Sequence, residues 1–477
     1  MPNSHDNGSR SFAIFNRLTM GELTKTWHGI KNIAKQALTK RNKPRLQYDN
    51  KEDLKKIIND CISTRGGDVS ARFRTVELGT VYLGLSKEGR ENFHNILAQD
   101  FDVDPGVLDS NISTLKNASS VDERIKAEIA LKKSLVPSRV RLLKQFSSLP
   151  NGFKFLIDMR ADLLPKASDD PYIHKLSHDL KEILESWFDV SLLDLTEITW
   201  DSPAALLEKL IEYEAVHEIN SWNDLRKRLD SDRLCFAFLH NKMVREPIIF
   251  VEVALVNKLS DNIQELISRE DEERTEGEAN TAIFYSISNA QPGLAGISLG
   301  NFLIKTVVEK LSKEKSYLKH FATLSPVPGF RNWLDNKLAE EASDFLCSQD
   351  AKSIQKHYQC SNSNEKLKEL LAEPWVEDNE KAQFLKPVLL TLCTHYLLQE
   401  RKGNKVLDPV MNFHLTNGAR LEQINWLADI SERGITRSYG IMVNYYYKLS
   451  DIESNHEQYI STTHIAATRD VKNLLRE

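Results

Sequence analysis

The sequence predicts a multidomain protein in which an all-helical bundle is followed by an α/β domain. Three observations carry this prediction. From Lys51 to Trp187 apolar residues recur at three- and four-residue spacing, and no alternating run is long enough for a strand. Near Leu192 the composition changes, and aliphatic, aromatic and β-branched runs appear between polar turns. Between residues 282 and 311 one such run enters a glycine-containing turn that opens an apolar helix, the strand–turn–helix order of an α/β domain. The expected divisions are a basic segment at 1–45, a helical domain at 46–187 and an α/β domain at 188–477.

The chain has 477 residues, enough for two to three domains. Its 41% hydrophobic and 27% charged residues are ordinary for a water-soluble protein, and a net charge of −5 argues against nucleic acid as a general partner. No apolar run approaches the ~20 residues needed to cross a membrane, so no membrane partner is expected. Five cysteines, odd in number and without a CxxC pair, point to a reducing compartment and to no zinc site.

Residues 1–45 carry only Asp6 and Glu22 as acids. They read as a polar tail leading into a first helix, in a cytoplasmic protein. The alternative is a mitochondrial transit segment. The ending Leu474-Leu475-Arg476-Glu477 is not a peroxisomal address of the SKL type.

In the helical half, Lys51–Ser63 puts Leu54, Ile57, Ile58 and Cys61 on one face, and Gly66-Gly67 is read as its stop. Val121–Val136 has Val121, Ile125 and Ile129 four apart and ends at Pro137. Arg139–Phe146, Phe153–Leu164 and Ile173–Trp187 continue the bundle. His174 and His178 could share a helix face, but no third ligand accompanies them, and no metal site is expected.

In the α/β half, Ser202 and Pro203 are read as N-cap and first helical residue. Leu234–His240, Ile248–Val256 and Ala282–Ser288 read as strands, and residues 257–279 as a helix and a loop. The turn Gln291-Pro-Gly-Leu-Ala-Gly-Ile-Ser-Leu-Gly-Asn then leads into an apolar helix, Phe302–Leu311. Free backbone N–H groups at a helix start, reached closely through glycine, suit a phosphate-bearing ligand. Neither a Walker loop nor GxGxxG is present. Phe321–Leu324 finishes a strand, with Ser325 at its end and Pro326 and Pro328 fixing the exit. Ser325 either faces a ligand crevice or caps the helix Asn332–Leu338. Helices are expected at Glu365–Leu371 and Lys381–Leu398.

His414 stands between Phe413 and Leu415, before the turn signal Asn417-Gly418. From this window alone it reads as a backbone-bonded core histidine, with a side chain handed from a strand end to a cleft as the alternative. An amphipathic run follows. Ser438–Tyr447 reads as a strand on which Tyr445, Tyr446 and Tyr447 alternate sides, with Tyr447 facing the crevice. The end of the chain, Ser450–Glu477, holds a final helix.

The turn at 291–301 resembles the acyl-CoA-binding turn of the GNAT acetyltransferase fold, with Leu294 where that pattern has glycine. The chain as a whole resembles the malonyl-CoA decarboxylase family. The motifs that carry this are Asn412-Phe-His-Leu-x-Asn-Gly-Ala, Ile424-Asn-Trp-x-Ala-Asp, Arg433-Gly-Ile-Thr and Asn444-Tyr445-x-Tyr447, with Ala282-Ile-Phe-Tyr-Ser-Ile-Ser and Leu324-Ser-Pro-Val-Pro-Gly-Phe upstream.

The resemblance implies a GNAT-like α/β domain that converts malonyl-CoA to acetyl-CoA and CO2. It places coenzyme A contacts at Ala295, Gly296, Ile297, Ser298, Leu299, Gly300 and Asn301. Catalysis falls on Ser325 and His414, with Ser286 and Tyr447 as further substrate-binding positions. It also implies that the helical half is an oligomerisation domain, in a homotetramer or dimer of dimers. The thioester is its own electron sink, so no metal or organic cofactor is expected, and coenzyme A enters as part of the substrate. An acyl-CoA N-acyltransferase and a non-catalytic acyl-CoA-binding scaffold are the competing expectations. The absence of a GxSxG elbow sets serine-hydrolase chemistry aside.

Overall fold

Leu54, Ile58 and Cys61 are buried along Lys51–Ile62, the face their spacing foretold. The computed structural model describes residues 51–62, 67–243, 245–268, 279–297, 299–340 and 345–475. The basic segment 1–45, Gly66, Ser298 and the last two residues lie outside the described residues, as does most of the loop expected before residue 279. Gly67, read as part of a stop, instead opens the next helix, Gly67–Leu83. At a helix start its N–H needs no intrahelical partner.

Six more α-helices follow to residue 187: Lys87–Gln99, Pro105–Lys116, Val121–Ser134, Ser138–Gln145, Gly152–Leu163 and Pro171–Trp187. Three of the first four have an oxygen-bearing cap, and Ser120 with Glu123 closes a reciprocal capping box. The Val121–Ser134 helix differs from its sequence reading. Val121, Ile125 and Ile129 are 77%, 50% and 51% exposed, and the one buried side chain is Ala127. Arg139, fully buried, pins the bundle: it donates to Asp179 at 2.6 Å and to the Ala98 carbonyl at 2.9 Å, and forms an ion pair with Asp102 at 3.2 Å. The chain divides into two compact units, 1–187 with Pro292–Ala295, and 188–291 with 296–477.

The second unit is built on a mixed sheet. Its strands are β1 (Leu193–Ile198), β2 (Arg233–His240), β3 (Ile249–Val256), β4 (Thr281–Asn289), β5 (His320–Thr323) and β6 (Ser325–Pro326). A separate hairpin, β7 (Arg401–Lys402) and β8 (Lys405–Val406), precedes β9 (Arg420–Asn425) and β10 (Met442–Tyr446). The order is β1-β2-β3-β4-β5-β10-β6, with β9 on the other side of β10. β1 to β4 are antiparallel, β4 and β5 are parallel, and β10 is antiparallel to its neighbours. β3 is buried along its whole length, as a central strand covered on both faces must be. Helices Ala204–Tyr213 and Trp222–Lys227 cover one side, packing Leu206, Leu207, Leu210 and Leu225 against Cys235, Ala237 and Phe250.

Several local readings are corrected here. Pro203, not Ser202, is the N-cap of Ala204–Tyr213, and the Ser202 hydroxyl accepts from the Thr199 N–H at 3.0 Å instead. The amphipathic run after Gly418 contains a strand, β9. Ser438 ends the helix Glu432–Ser438, so the tyrosine strand begins at Met442. His414 lies on the helix Pro409–Thr416 and not on a strand.

Candidate active site

β4 and β5 pair from Thr281↔His320 to Phe284↔Thr323 and then part. β4 continues along β3 to Asn289, while the other chain turns at Leu324 and joins β10 through Ser325↔Val443 and Pro326↔Met442. Two parallel strands that separate leave a gap at their carboxyl ends, the usual ligand position in an α/β sheet. A β-bulge between Glu252 and Val253 makes Tyr285 the extra residue of β4. Such a bulge re-aims side chains, and Phe284, Tyr285 and Ile287 all line the gap. The result is a crevice of about 680 Å³, closed on its far side by the helix Pro409–Thr416 and bordered by Gly296 and Ile297.

Ser325 and His414 meet in this crevice. Ser325 Oγ lies 3.1 Å from His414 Nε2, and its O–H donates to Thr323 Oγ1 at 2.8 Å. Thr323 Oγ1 also accepts from the Tyr445 N–H at 3.2 Å. Asn444 Nδ2 donates to the Thr323 carbonyl at 2.8 Å, tying β5 to β10 below the serine. Ser325 caps no helix, because Phe330–Ala339 begins after Gly329.

The helix that carries His414 starts at Asp408, whose carboxylate accepts from the Met411 N–H at 2.8 Å, and Pro409 occupies its first turn. Burial pushes the Asp408 carboxyl up to about 6. On the opposite side of the imidazole, the Tyr447 hydroxyl lies 2.8 Å from Nδ1, and the Tyr445 ring stacks on the imidazole at 4.3 Å and 23°. The imidazole is 1% exposed, and burial drives its pKa down to about 3. Charging it there would require a partner that desolvation does not provide, so it is neutral.

Hydrogen-bond accounting assigns its tautomer. A buried phenol must donate its proton, and a donation from Tyr447 leaves Nδ1 as acceptor. The ring hydrogen then sits on Nε2, facing Ser325 Oγ.

The remaining sequence-identified positions fall in different places. Gly296, in the left-handed region at φ 79°, and Ile297 line the crevice. Leu299 is buried, its N–H bonded to the Ile297 carbonyl at 2.9 Å, and Gly300 and Asn301 open the helix Gly300–Glu314. Ala295 groups with the helical unit. Ser286 is buried behind the crevice wall, where its hydroxyl reaches both oxygens of Glu214 at 2.7 and 2.8 Å. Thr323 and Asp408 were not singled out from the sequence, and Asn444 and Tyr445 only as members of the Asn444-Tyr445-x-Tyr447 motif. Thr323 stands two residues before Ser325 on the same strand course, and Asp408-Pro409 is an ordinary helix-start signal.

Comparison with known proteins places this arrangement. Residues 191–477 match the family described as the malonyl-CoA decarboxylase C-terminal domain, and residues 101–188 match its N-terminal domain. The chain belongs to the malonyl-CoA decarboxylase family. It is 37% identical over 417 residues to the mitochondrial malonyl-CoA decarboxylase of Anser anser anser, covering 84% of this chain and 83% of that one. The Rattus norvegicus enzyme is 36% identical, with 83% and 84% covered. Among solved structures, the malonyl-CoA decarboxylase of Rhodopseudomonas palustris superposes with a TM-score of 0.81 at 37% identity, covering 89% of this chain and 99% of that one. The Agrobacterium vitis malonyl-CoA decarboxylase gives 0.80 at 37%, covering 89% and 100%. Family membership makes the chain a carboxy-lyase and joins the helical and α/β halves in one recurring pair of domains.

Proposed function

We propose that this chain converts malonyl-CoA to acetyl-CoA and CO2, with Ser325 and His414 at the reacting end and Tyr447 behind the histidine. The observation that carries the assignment is the Tyr447–His414–Ser325 chain at the gap between β4 and β5. The thioester passes through Gly296 and Ile297, with the malonyl group beside Ser325. The turn 295–301 and its helix start hold the coenzyme A arm.

The carboxylate–carbon bond breaks. CO2 leaves, and the bonding electrons pass into the thioester, which becomes an enolate. The thioester is the electron sink, so the step requires neither a metal nor an organic cofactor. His414 Nε2–H stabilises the enolate oxygen as a neutral donor, in a buried site where such a bond is strong. The enolate carbon is a far stronger base than an imidazole anion, so transfer of the Nε2 proton to carbon is downhill even from a neutral ring. Nδ1 draws the Tyr447 proton toward itself as Nε2 gives its own away; a crevice water then protonates Nε2, and the Nδ1 proton returns to Tyr447, which restores the starting tautomer. Ser325 orients the departing carboxylate. Ser286 serves at one remove: it holds Glu214, whose carboxylate also accepts from the Val216 and His217 N–H groups at 2.8 Å and so fixes Val216 in the crevice wall.

The exposed Val121–Ile125–Ile129 face supports self-association through the helical unit, with a homotetramer or dimer of dimers as the assembly. The mitochondrial names of the animal relatives support the transit-segment reading of residues 1–45 over a cytoplasmic one.

The test is incubation of purified protein with malonyl-CoA alone. Equal release of CO2 and acetyl-CoA, lost in folded Ser325→Ala and His414→Ala variants, is the expected result. Acyl-CoA binding without CO2 would move the assignment to the transferase or scaffold.

A further inference from the structure

Beside the crevice lies a second hollow of about 150 Å³, and Val216, Pro326 and Val410 border both. The helix Glu432–Ser438 contributes Arg433 and Arg437 to its lining, one helical turn apart. Neither arginine has an ion-pair partner among the described residues. Arg433 donates through Nη2 to the Ala215 carbonyl. Two further polar groups line the hollow. His217 Nε2 is buried with no hydrogen-bond partner among the described residues, and burial keeps this imidazole neutral. Asp429 has one carboxylate oxygen engaged by Gln264 Nε2 at 2.8 Å and the Ser431 N–H at 3.0 Å. Two guanidinium groups against one carboxylate leave the hollow net positive, with an unused donor or acceptor on its wall. Arg433 also belongs to a motif that the chemistry above does not use.

We infer that Arg433 and Arg437 form a carboxylate-reading vestibule, which recognises the malonyl group before it reaches Ser325. The inference rests on the decarboxylase reading. Its logic is that of charge movement. A carboxylate held tightly by arginine at the reacting carbon would be stabilised in the ground state and would resist giving up its charge, which raises the barrier. Among the described residues no arginine borders the crevice itself, whose lining carries Lys405, His414 and His456. The arginines stand across Pro326 from Ser325, where they can attract and select a carboxylated thioester without holding it during bond cleavage. Acetyl-CoA, lacking the carboxylate, loses this attraction, which favours exchange of product for substrate.

The experiment measures KM for malonyl-CoA and the inhibition constant of acetyl-CoA in the full chain and in Arg437→Gln, Arg433→Gln and the double variant. The Arg437 side chain makes no hydrogen bond to another described residue, so Arg437→Gln guards against a folding failure at Arg433. In the double variant KM should rise about 10-fold, the scale of losing a charge-assisted pair in a partly exposed site. The kcat should fall less than about threefold, the acetyl-CoA constant should move less than about twofold, and the salt dependence of KM should flatten. Free malonate separates the two sources of a carboxylate. Weaker competition in the variants means that the vestibule accepts the free anion. Absence of competition in the parent, alongside the KM effect, means that it reads only the thioester-borne group. An unchanged KM, or KM and the acetyl-CoA constant rising together, overturns the inference. Direct binding of malonyl-CoA against acetyl-CoA by the same variants reads the vestibule even if no CO2 is released, so a failure of the decarboxylase assignment remains distinguishable.

Discussion

The Tyr447 hydroxyl lies 2.8 Å from His414 Nδ1, on the side of the ring opposite Ser325. It fixes which nitrogen carries the hydrogen. Tyr447→Phe removes that donor and frees the imidazole to adopt the other tautomer, in which Nε2 presents a lone pair to the developing enolate. We expect kcat to fall by about 10- to 100-fold, with KM for malonyl-CoA changed less than about threefold. Steady-state assays check this, and a KM effect of similar size to the kcat effect would assign Tyr447 to substrate binding.

A neutral His414 has a consequence for the pH profile. Its pKa is driven down to about 3 by burial. The imidazole therefore does not titrate between pH 5 and 8, where an unperturbed histidine near 6.5 would. The kcat for CO2 release should stay level over that range. A limb near pH 6.5 that disappears in a His414→Gln variant retaining measurable turnover would show that the ring ionises in the working enzyme.

Stability should depend on pH with a definite sign. His414 and His94 are both buried, with pKa values lowered to about 3 and about 4. In the unfolded chain they protonate near 6.5. Between pH 6.5 and the folded values the unfolded state binds more protons, so stability is complete above 6.5 and is lost as pH falls through this window. The loss is up to about 2 kcal/mol for each at pH 5. Asp408, raised to about 6, acts in the opposite sense, so the histidine share is read by difference: from pH 7 to pH 5 the thermal midpoint of His94→Gln should fall less, or rise more, than that of the parent.

Thr323 supports the serine from below. Thr323→Val preserves shape but removes the oxygen that accepts from the Tyr445 N–H and from Ser325. A buried N–H is left without a partner, at about 1–3 kcal/mol. Denaturant unfolding should show that loss, and turnover should fall as Ser325 loses its fixed rotamer.

The division into a helical and an α/β half could be read from hydrophobic periodicity because each element buries one face along most of its length. Lys51–Ile62 and Pro171–Trp187 show this directly. Short elements were harder. The eight-residue helix of His414 is too brief to show a period, and its cap signal, Asp408-Pro409, lies outside the window in which the histidine stands out. β9 follows a turn at once and alternates only weakly, because Arg420 and Glu422 on either side of Leu421 are partly buried and two polar residues, Glu422 and Gln423, precede Ile424. For the site, Ser325, His414 and Tyr447 were legible through motif resemblance. Thr323 acts through contacts that form only when β5 and β10 come together, and Asp408 acts as the cap of a helix too short to be read. The exposed face of Val121–Ser134 shows the limit of periodicity: spacing reveals an apolar stripe, but not what covers it.

The turn that closes the His414 helix gives the last test. Asn417 and Ala419 both donate to the His414 carbonyl at 3.1 Å, and the Gly418 N–H donates to the Leu415 carbonyl at 3.0 Å. Gly418 sits at φ 76°, and a Cβ built there would lie 2.0 Å from the Ile452 carbonyl oxygen. An alanine must therefore accept left-handed backbone strain and also displace a backbone group. The strain alone costs about 1 kcal/mol, and the displacement adds to it. Gly403 provides the control, with φ 62° and nothing within 4 Å of its Cβ position. Gly403→Ala should cost only the strain and leave turnover intact. Gly418→Ala should lower the unfolding free energy by more than about 2 kcal/mol and reduce kcat, because the carbonyl that anchors the turn belongs to His414. Equal effects from the two substitutions would show that the contact with Ile452 yields freely and that the helix end does not set the position of the imidazole.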